Sequence, residues 1–175
     1  MNYLTDKEIH KICDKYGINN YTINSDGLID VDGDVRLFDK ELTKLPLKFN
    51  HVSGHFDCSG NKLTTLEFSP KSVGGHFSCY VNELTTLEGC PKSVGGYFYC
   101  NNNNLTTLEG GPKSVSGGFI CSDNNLTTLL GGPQSVGGYF NCNDNPIYNQ
   151  LGDIDYKSYI KQLNRDKILN ELLNR

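Results

Sequence analysis

Residues 73–93 read VGGHFSCYVNELTTLEGCPKS, and residues 94–114 read VGGYFYCNNNNLTTLEGGPKS. The second stretch repeats the first after 21 residues, with most positions unchanged. The same interval holds from residue 52 to residue 145 without insertion or deletion. A regular repeat of this length predicts a solenoid, in which each repeat forms one coil and is stabilised by its neighbours.

Several positions of the repeat hold one residue type in coil after coil. The columns are Val52, Val73, Val94, Val115 and Val136; Phe56, Phe77, Phe98, Phe119 and Phe140; Cys58, Cys79, Cys100, Cys121 and Cys142; Asn61, Asn82, Asn103, Asn124 and Asn145; and Leu63, Leu84, Leu105, Leu126 with Ile147. A divergent repeat precedes them, with Val31, Gly33 and Val35 in register and Lys40 in the Asn column. We therefore expect six repeats, the first being a terminal one.

The residue types explain the columns. Phe and Cys lie two positions apart, so in a strand both enter the core while the residues between them face outward. Parallel strands stacked about 4.8 Å apart then form a Phe column beside a Cys column. Asn can satisfy backbone amides between coils, and the glycine column represented by Gly75 predicts a positive φ or a close backbone approach.

The unit V-x-G-x-F-x-C-x-x-N-x-L-T-x-L-x-x-x-P resembles the leucine-rich repeat L-x-L-x-x-N-x-L, with Phe and Cys replacing two strand leucines, over residues 28–147. Its length and T-x-L ending are most similar to bacterial short repeats. The G-G-x-F-x-C and L-T-T-L-E-G-x-P forms look like uncharacterised leucine-rich-repeat proteins of tailed bacteriophages. The resemblance implies an α/β right-handed solenoid with a parallel β-sheet on its concave face and a mostly irregular convex side.

Both ends of a solenoid need covering, and we expect helical caps at residues 1–27 and 148–175 of one structural domain. Thr5 and Glu8 form a capping-box signal that predicts a helix over Asp6–Tyr16. A strand is expected near Tyr21–Asn24, closed by a turn at Asp26 and Gly27. Helical spacing predicts the second cap from Ile154, Ile160, Leu163, Ile168, Leu169, Leu172 and Leu173.

Composition argues against several classes of function. A net charge of -4 gives no general attraction to phosphate backbones, so no nucleic-acid partner is expected. No apolar run of membrane-spanning length and no secretory signal pattern occur, so we expect a cytoplasmic protein without a membrane partner. The cysteine count is odd, at seven, which favours reduced thiols over a disulfide framework.

No motif predicts catalysis, and we expect a protein that is not an enzyme and needs no cofactor or metal. The cysteine column could suggest a metal or thiol site, but its positions predict burial and do not converge as zinc ligands do. Cys90 lies outside that column and is expected near the surface. The acidic stretch Asp26, Asp30, Asp32 and Asp34 lacks the glycine and glutamate positions of a calcium loop, which favours a solvated cap edge.

The outward positions of the predicted strands vary from coil to coil and concentrate aromatic side chains in the middle repeats. The candidate binding residues are His55, His76, Tyr80, Tyr97, Tyr99, Ile120 and Tyr139. Tyrosine is enriched at binding hot spots because it offers a large contact area with a polar tip and loses little rotamer entropy. Tyrosine also simply suits exposed strands, which is the alternative explanation of the cluster.

Three hypotheses of function follow. The first is a non-catalytic module that docks a partner protein on the concave aromatic face; if the bacteriophage resemblance holds, the partner could be a host enzyme or defence component that is blocked by occlusion. The second is a small-ligand binder that stacks a planar molecule on the aromatics and contacts anionic groups through His55, His76 or Arg36. The third is a structural role through the end caps, and the oligomeric state is left open.

Overall fold

The computed structural model describes residues 4–151, 155, 156, 158–160, 162 and 165 of the 175-residue chain. The chain forms a parallel β-solenoid with a period of 21 residues. Ser72 lies in register with Ser93, and Phe77 lies in register with Phe98, so successive repeats lie side by side. The predicted solenoid is confirmed.

Each coil contributes two short strands to two separate sheets. The elements in chain order are α1 (Asp6–Tyr16), β1 (Tyr21–Ile23), β2 (Ile29–Val31), β3 (Val35–Arg36), β4 (Phe49–Val52), β5 (Phe56–Asp57), β6 (Ser72–Val73), β7 (Phe77–Ser78), β8 (Ser93–Val94), β9 (Phe98–Tyr99), β10 (Ser114–Val115), β11 (Phe119–Ile120), β12 (Ser135–Val136), β13 (Phe140–Asn141) and α2 (Tyr148–Leu151).

We call the two sheets the valine sheet and the phenylalanine sheet. The valine sheet runs β1-β2-β4-β6-β8-β10-β12, and the phenylalanine sheet runs β3-β5-β7-β9-β11-β13. Pairing is parallel in both sheets apart from the antiparallel β1–β2 hairpin. The sequence pattern predicts a single sheet; the Ser-Val pairs add a second because they also stack in register at the same interval.

The interior is built from columns of identical side chains. The rings of Phe77 and Phe98 stack with centroids 5.2 Å apart, and those of Phe98 and Phe119 with centroids 5.1 Å apart. The Cys column and the Leu columns are also buried between these rings and the rest of the coil. This confirms the predicted inward direction of the Phe and Cys side chains.

The asparagine column joins neighbouring coils as predicted. Asn103 accepts a hydrogen bond from the Leu84 amide at 3.0 Å through Oδ1. Its Nδ2 donates to the carbonyls of Cys79, Cys100 and Asn101 at 3.0, 3.2 and 3.3 Å. One buried side chain therefore hydrogen-bonds backbone groups of two adjacent coils.

The glycine column reflects close backbone approach. A Cβ at Gly75 would lie 2.8 Å from the Gly54 carbonyl oxygen of the preceding coil. The backbone of Gly75 does not have a positive φ, so of the two predicted reasons for this column the close approach applies here.

All seven cysteines are free thiols, which agrees with the prediction of reduced cysteines. The Cys79 thiol donates to the Tyr99 carbonyl of the next coil at 3.4 Å, and Cys100 makes the same contact with Ile120. The prediction that Cys90 lies near the surface is wrong: it is 3% exposed, because its Sγ lies against the backbone of Pro91 and Gly110. Burial raises the pKa of Cys90 to about 12, so the thiol stays protonated and unreactive at neutral pH.

The amino-terminal helix begins and ends as predicted. Thr5 and Glu8 form a reciprocal capping box, and Gly17 ends the helix in the left-handed conformation. Ile9 and Cys13 of α1 belong to the same buried cluster as the repeats. The predicted strand is present as β1, which pairs with β2 across a turn at Gly27.

The carboxy-terminal prediction can be followed only in part. Ile160 lies in helical backbone, whereas Ile154, Leu163, Ile168, Leu169, Leu172 and Leu173 lie outside the described residues. The ring of Tyr156 stacks on Phe140 with centroids 3.7 Å apart, and its hydroxyl donates to the Pro133 carbonyl at 2.6 Å. Tyr156 thus covers the end of the Phe column. Among the described residues, no helix has the length and apolar character needed to cross a bilayer.

Candidate functional site

The outward side of the phenylalanine sheet holds all seven candidate residues, and we call it the tyrosine face: His55, His76, Tyr80, Tyr97, Tyr99, Ile120 and Tyr139. On β9 the Phe98 ring is fully buried, whereas the adjacent Tyr99 is partly exposed. The alternation expected of a strand therefore places the Phe column and the tyrosine face on opposite sides of one sheet.

In the first three coils, the residue just before the inward Val35, Phe56 or Phe77 accepts a backbone hydrogen bond from the next coil, and the three side chains form a ladder. Asp34 accepts the His55 amide, His55 Nδ1 accepts the His76 amide, and His76 Nδ1 accepts the Tyr97 amide, each at 2.8 Å. The rings of His55 and His76 stack with centroids 4.5 Å apart. Both histidines therefore bind the backbone through Nδ1 and are part of the scaffold as well as of the surface.

These contacts lower the pKa of two side chains of the ladder, Asp34 and His76. Hydrogen bonding by the His55 amide, assisted by Arg36, lowers the pKa of Asp34 below its ordinary value. Partial burial and the neighbouring His55 lower the pKa of His76. Protonation at Nδ1 would also break the hydrogen bond from the Tyr97 amide, because that nitrogen would become a donor. The neutral form of His76 is the one that fits this ladder.

The aromatic rings continue from the histidines across the middle coils. The Tyr97 ring lies edge-on to His76 and stacks on Tyr99, with centroid separations of 5.3 and 5.7 Å. It also contacts the ring of Tyr139, 5.9 Å away and two coils further on. Gly118 makes this contact possible, since a Cβ there would lie 2.8 Å from the Tyr97 ring.

Tyr80, Tyr99, Ile120 and Tyr139 line one depression of about 500 Å³ together with Asp57 and three polar neighbours. Ile120 is only 7% exposed, less than expected for an outward residue, and it forms part of the lining between the larger tyrosines. Tyr139 is 56% exposed. Partial burial, with the neighbouring Tyr139 and Tyr97 hydroxyls, raises the pKa of Tyr99. The structure therefore brings four of the seven candidates together around this depression, and His55, His76 and Tyr97 form the adjoining ladder.

Sequence reasoning missed a second depression of about 420 Å³ beside the first. It is lined by Phe38, Asp57, Tyr80 and Val81, with Asp39, Ser59 and Gly60. Val81 has a φ of 52°, a left-handed conformation that β-branched residues avoid. The sequence itself carries a signal of this conformation. Other coils hold Gly60, Asn102, Asp123 and Asp144 at the same position, and Gly, Asn and Asp tolerate a left-handed backbone.

The outward side of the valine sheet provides an internal comparison. Its exposed strand position holds Ser93, Ser114 and Ser135 in consecutive coils, with Ser72 half-buried before them. Ser72 Oγ contacts Nδ1 of His51 at 2.8 Å. From Ser72 to Ser135 the valine sheet therefore stacks in register with small outward side chains, and His51 precedes them in the same column.

Comparison with protein-family models, curated proteins and solved structures gave no match. Within the described part of the chain, no group of three or more His, Cys, Asp or Glu side chains is placed to hold a metal ion.

Proposed function

We propose that the chain is a non-catalytic, leucine-rich-repeat-type binding protein that docks a partner protein on the tyrosine face. The observation that carries the proposal is the continuous aromatic cluster from His55 to Tyr139 on the outward side of one sheet. These rings are partly exposed and preordered by contacts with each other, so little conformational entropy is lost on binding.

The family assignment and the biological setting belong to the same proposal. The repeat unit supports a leucine-rich-repeat protein of the short type, and the G-G-x-F-x-C form supports a bacteriophage origin. In that setting the protein would act in the cytoplasm of the host cell and occlude a host enzyme or defence component.

The test is capture of partners from a host lysate by the wild-type protein and by a Tyr97→Ala/Tyr99→Ala double variant. We expect the double variant to lose at least about tenfold in captured partner, the typical effect of removing hot-spot side chains. Ser93→Ala/Ser114→Ala on the valine sheet is the matched control and should capture normally. Equal capture by all three proteins would remove the tyrosine face from consideration.

A second variant keeps every ring but alters their arrangement. Gly118→Ala places a Cβ against Tyr97 and should separate the Tyr97 and Tyr139 rings. A loss of partner of roughly three- to tenfold is expected because preorganisation is lost without loss of contact atoms, on the order of 1 kcal/mol. Circular dichroism should show that the solenoid is unchanged.

The depression beside Tyr99 favours one alternative, a protein that binds or sequesters a small molecule. Its volume of about 500 Å³ lies within the range of ligand sites. A thermal-shift screen of metabolites separates the two functions. A large shift by one compound that depends on Tyr99 favours the alternative, whereas Tyr99-dependent protein capture without such a shift favours a protein partner.

A further inference from the structure

The depression between the tyrosines combines aromatic rings with a carboxylate. Tyr80, Tyr99 and Tyr139 line it, and Asp57 lies at its edge. Within the described residues, both hydrogen bonds that Asp57 accepts come from Ser59 and end on Oδ1, at 3.0 Å and 2.5 Å. The second carboxylate oxygen, Oδ2, is thus available to a ligand. The carboxylate is held in place by Ser59 before any ligand arrives.

Rings beside a fixed carboxylate select a cation. The faces of aromatic rings attract ammonium and guanidinium groups, and a desolvated site strengthens that attraction. A guanidinium suits this arrangement better than an ammonium does, because it is planar, stacks on rings and donates several hydrogen bonds in one plane. The amide and hydroxyl groups of Asn101, Asn141 and Ser78 line the same depression and offer further acceptors.

The charge around the depression points to the same kind of ligand. The three outward positions of the phenylalanine sheet and the left-handed position beside them contain five aspartates and one arginine: Asp34, Asp39, Asp57, Asp123, Asp144 and Arg36. Arg36 is already paired with Asp34 at 3.1 Å. The lysines of the repeats, such as Lys71, Lys92 and Lys113, occupy other columns. A basic partner would be attracted to this face, and an acidic one repelled.

The second depression offers an apolar surface next to the first. Phe38 and Val81 are exposed by 43% and 48%, and both depressions share Tyr80 and Asp57. An extended segment that places a cation beside Tyr99 could therefore place an adjacent apolar side chain against Phe38 and Val81. Two neighbouring sites of different chemistry suit a peptide segment better than a single small cation.

We propose that the tyrosine face binds an arginine side chain carried by an exposed segment of the partner protein. The guanidinium lies between Tyr80, Tyr99 and Tyr139 and donates to the Asp57 carboxylate, while a neighbouring apolar side chain contacts Phe38 and Val81. This inference rests on the proposed protein-binding function and names the chemistry that the partner must present.

The experiment selects random dodecapeptides by mRNA display against the wild-type protein and, separately, against Tyr97→Ala/Tyr99→Ala and Asp57→Asn. The best wild-type sequence is then synthesised with its arginine replaced by lysine or by citrulline, the neutral isostere, and Kd is measured by fluorescence anisotropy. The side-chain carbonyl introduced by Asp57→Asn can still accept from Ser59, so the fold should be retained. Asp123→Asn is the control, because it removes one negative charge from the same side of the molecule at a residue that lines neither depression, and so changes only the long-range attraction.

We expect an arginine at a fixed position in the selected peptides. Citrulline and Asp57→Asn should each weaken binding by about tenfold or more, lysine by about threefold, and Asp123→Asn by less than about twofold. Selected peptides without a basic residue, or equal effects of Asp57→Asn and Asp123→Asn, would overturn the arginine inference and leave the tyrosine face as a binding surface. Peptides that bind the tyrosine double variant equally well, or no enrichment at all, would overturn the proposed function too.

Discussion

The outward sides of the two sheets differ although the same chain builds both with the same period. The valine sheet presents His51 and then serine in four consecutive coils, whereas the phenylalanine sheet presents Asp57, Ser78, Tyr99, Ile120 and Asn141 in the same five coils. Exposed two-residue parallel strands thus do not require aromatic side chains in this molecule. The tyrosines are a property of one face, which weakens the explanation that they merely suit strands.

The largest expected effect on stability comes from a substitution in the interior, and substitutions on the outward sides of the two sheets should have much smaller effects. Phe98→Ala should lower the free energy of unfolding by about 3–5 kcal/mol, because it removes a fully buried ring from a stacked column. Tyr99→Ala and Ser93→Ala, on the outward sides of the two sheets, should each cost less than about 1 kcal/mol. Urea unfolding of the three variants measures this. A loss for Tyr99→Ala as large as that for Phe98→Ala would show that the tyrosine face is needed for folding.

The next largest effect concerns the asparagine column, whose side chains join neighbouring coils. Asn103→Ala should cost about 1–3 kcal/mol, because it leaves the Leu84 amide without a partner inside the protein. The Cys79 and Cys100 carbonyls each lose one hydrogen bond but keep those from Asn82 and Asn124. Asn104→Ala is the matched control at an exposed position, where less than about 0.5 kcal/mol is expected. Similar unfolding midpoints for the two variants would contradict the role given to the asparagine column.

A smaller effect of opposite sign concerns the strained residue on the tyrosine-face side. Val81→Asn should raise the free energy of unfolding by about 1 kcal/mol, since asparagine tolerates the left-handed conformation that valine avoids. The mirror variant Asn102→Val, at the same position of the next coil, should lower it by a similar amount. Differential scanning calorimetry of both proteins gives the comparison. If Val81→Asn also weakens binding of the peptide selected against the wild type, the strained backbone at Val81 contributes to binding.

The smallest effect is a pH dependence that arises on the tyrosine face. His76 has a pKa below its ordinary value of 6.5, so the folded state favours the neutral ring. The corresponding stability is fully present above pH 6.5 and is lost as the pH falls towards the lowered folded-state pKa. Between about pH 8 and about pH 5.5 the wild type should therefore lose more stability than His76→Gln, which can still accept the Tyr97 amide. Parallel urea midpoints for the two proteins would contradict this.

Much of the candidate site could be predicted from the sequence, because strand alternation fixes which residues share a side. Tyr97 and Tyr99 follow directly from their positions around Phe98. The contact between Tyr97 and Tyr139 could not be predicted, since it spans two coils and depends on the space left at Gly118. The placement of Asp57 between two depressions also requires the packing of side chains from several coils.

By itself the sequence determined the period, the inward columns and the capping box, because these depend on local geometry repeated without error at 21 residues. Only the tertiary structure decided that the Ser-Val pairs form a second sheet, that Cys90 is buried and that His55 and His76 hold backbone amides. Those outcomes depend on which atoms of adjacent coils come within contact distance. A repeat pattern predicts which coils are neighbours but not which of their atoms are in contact.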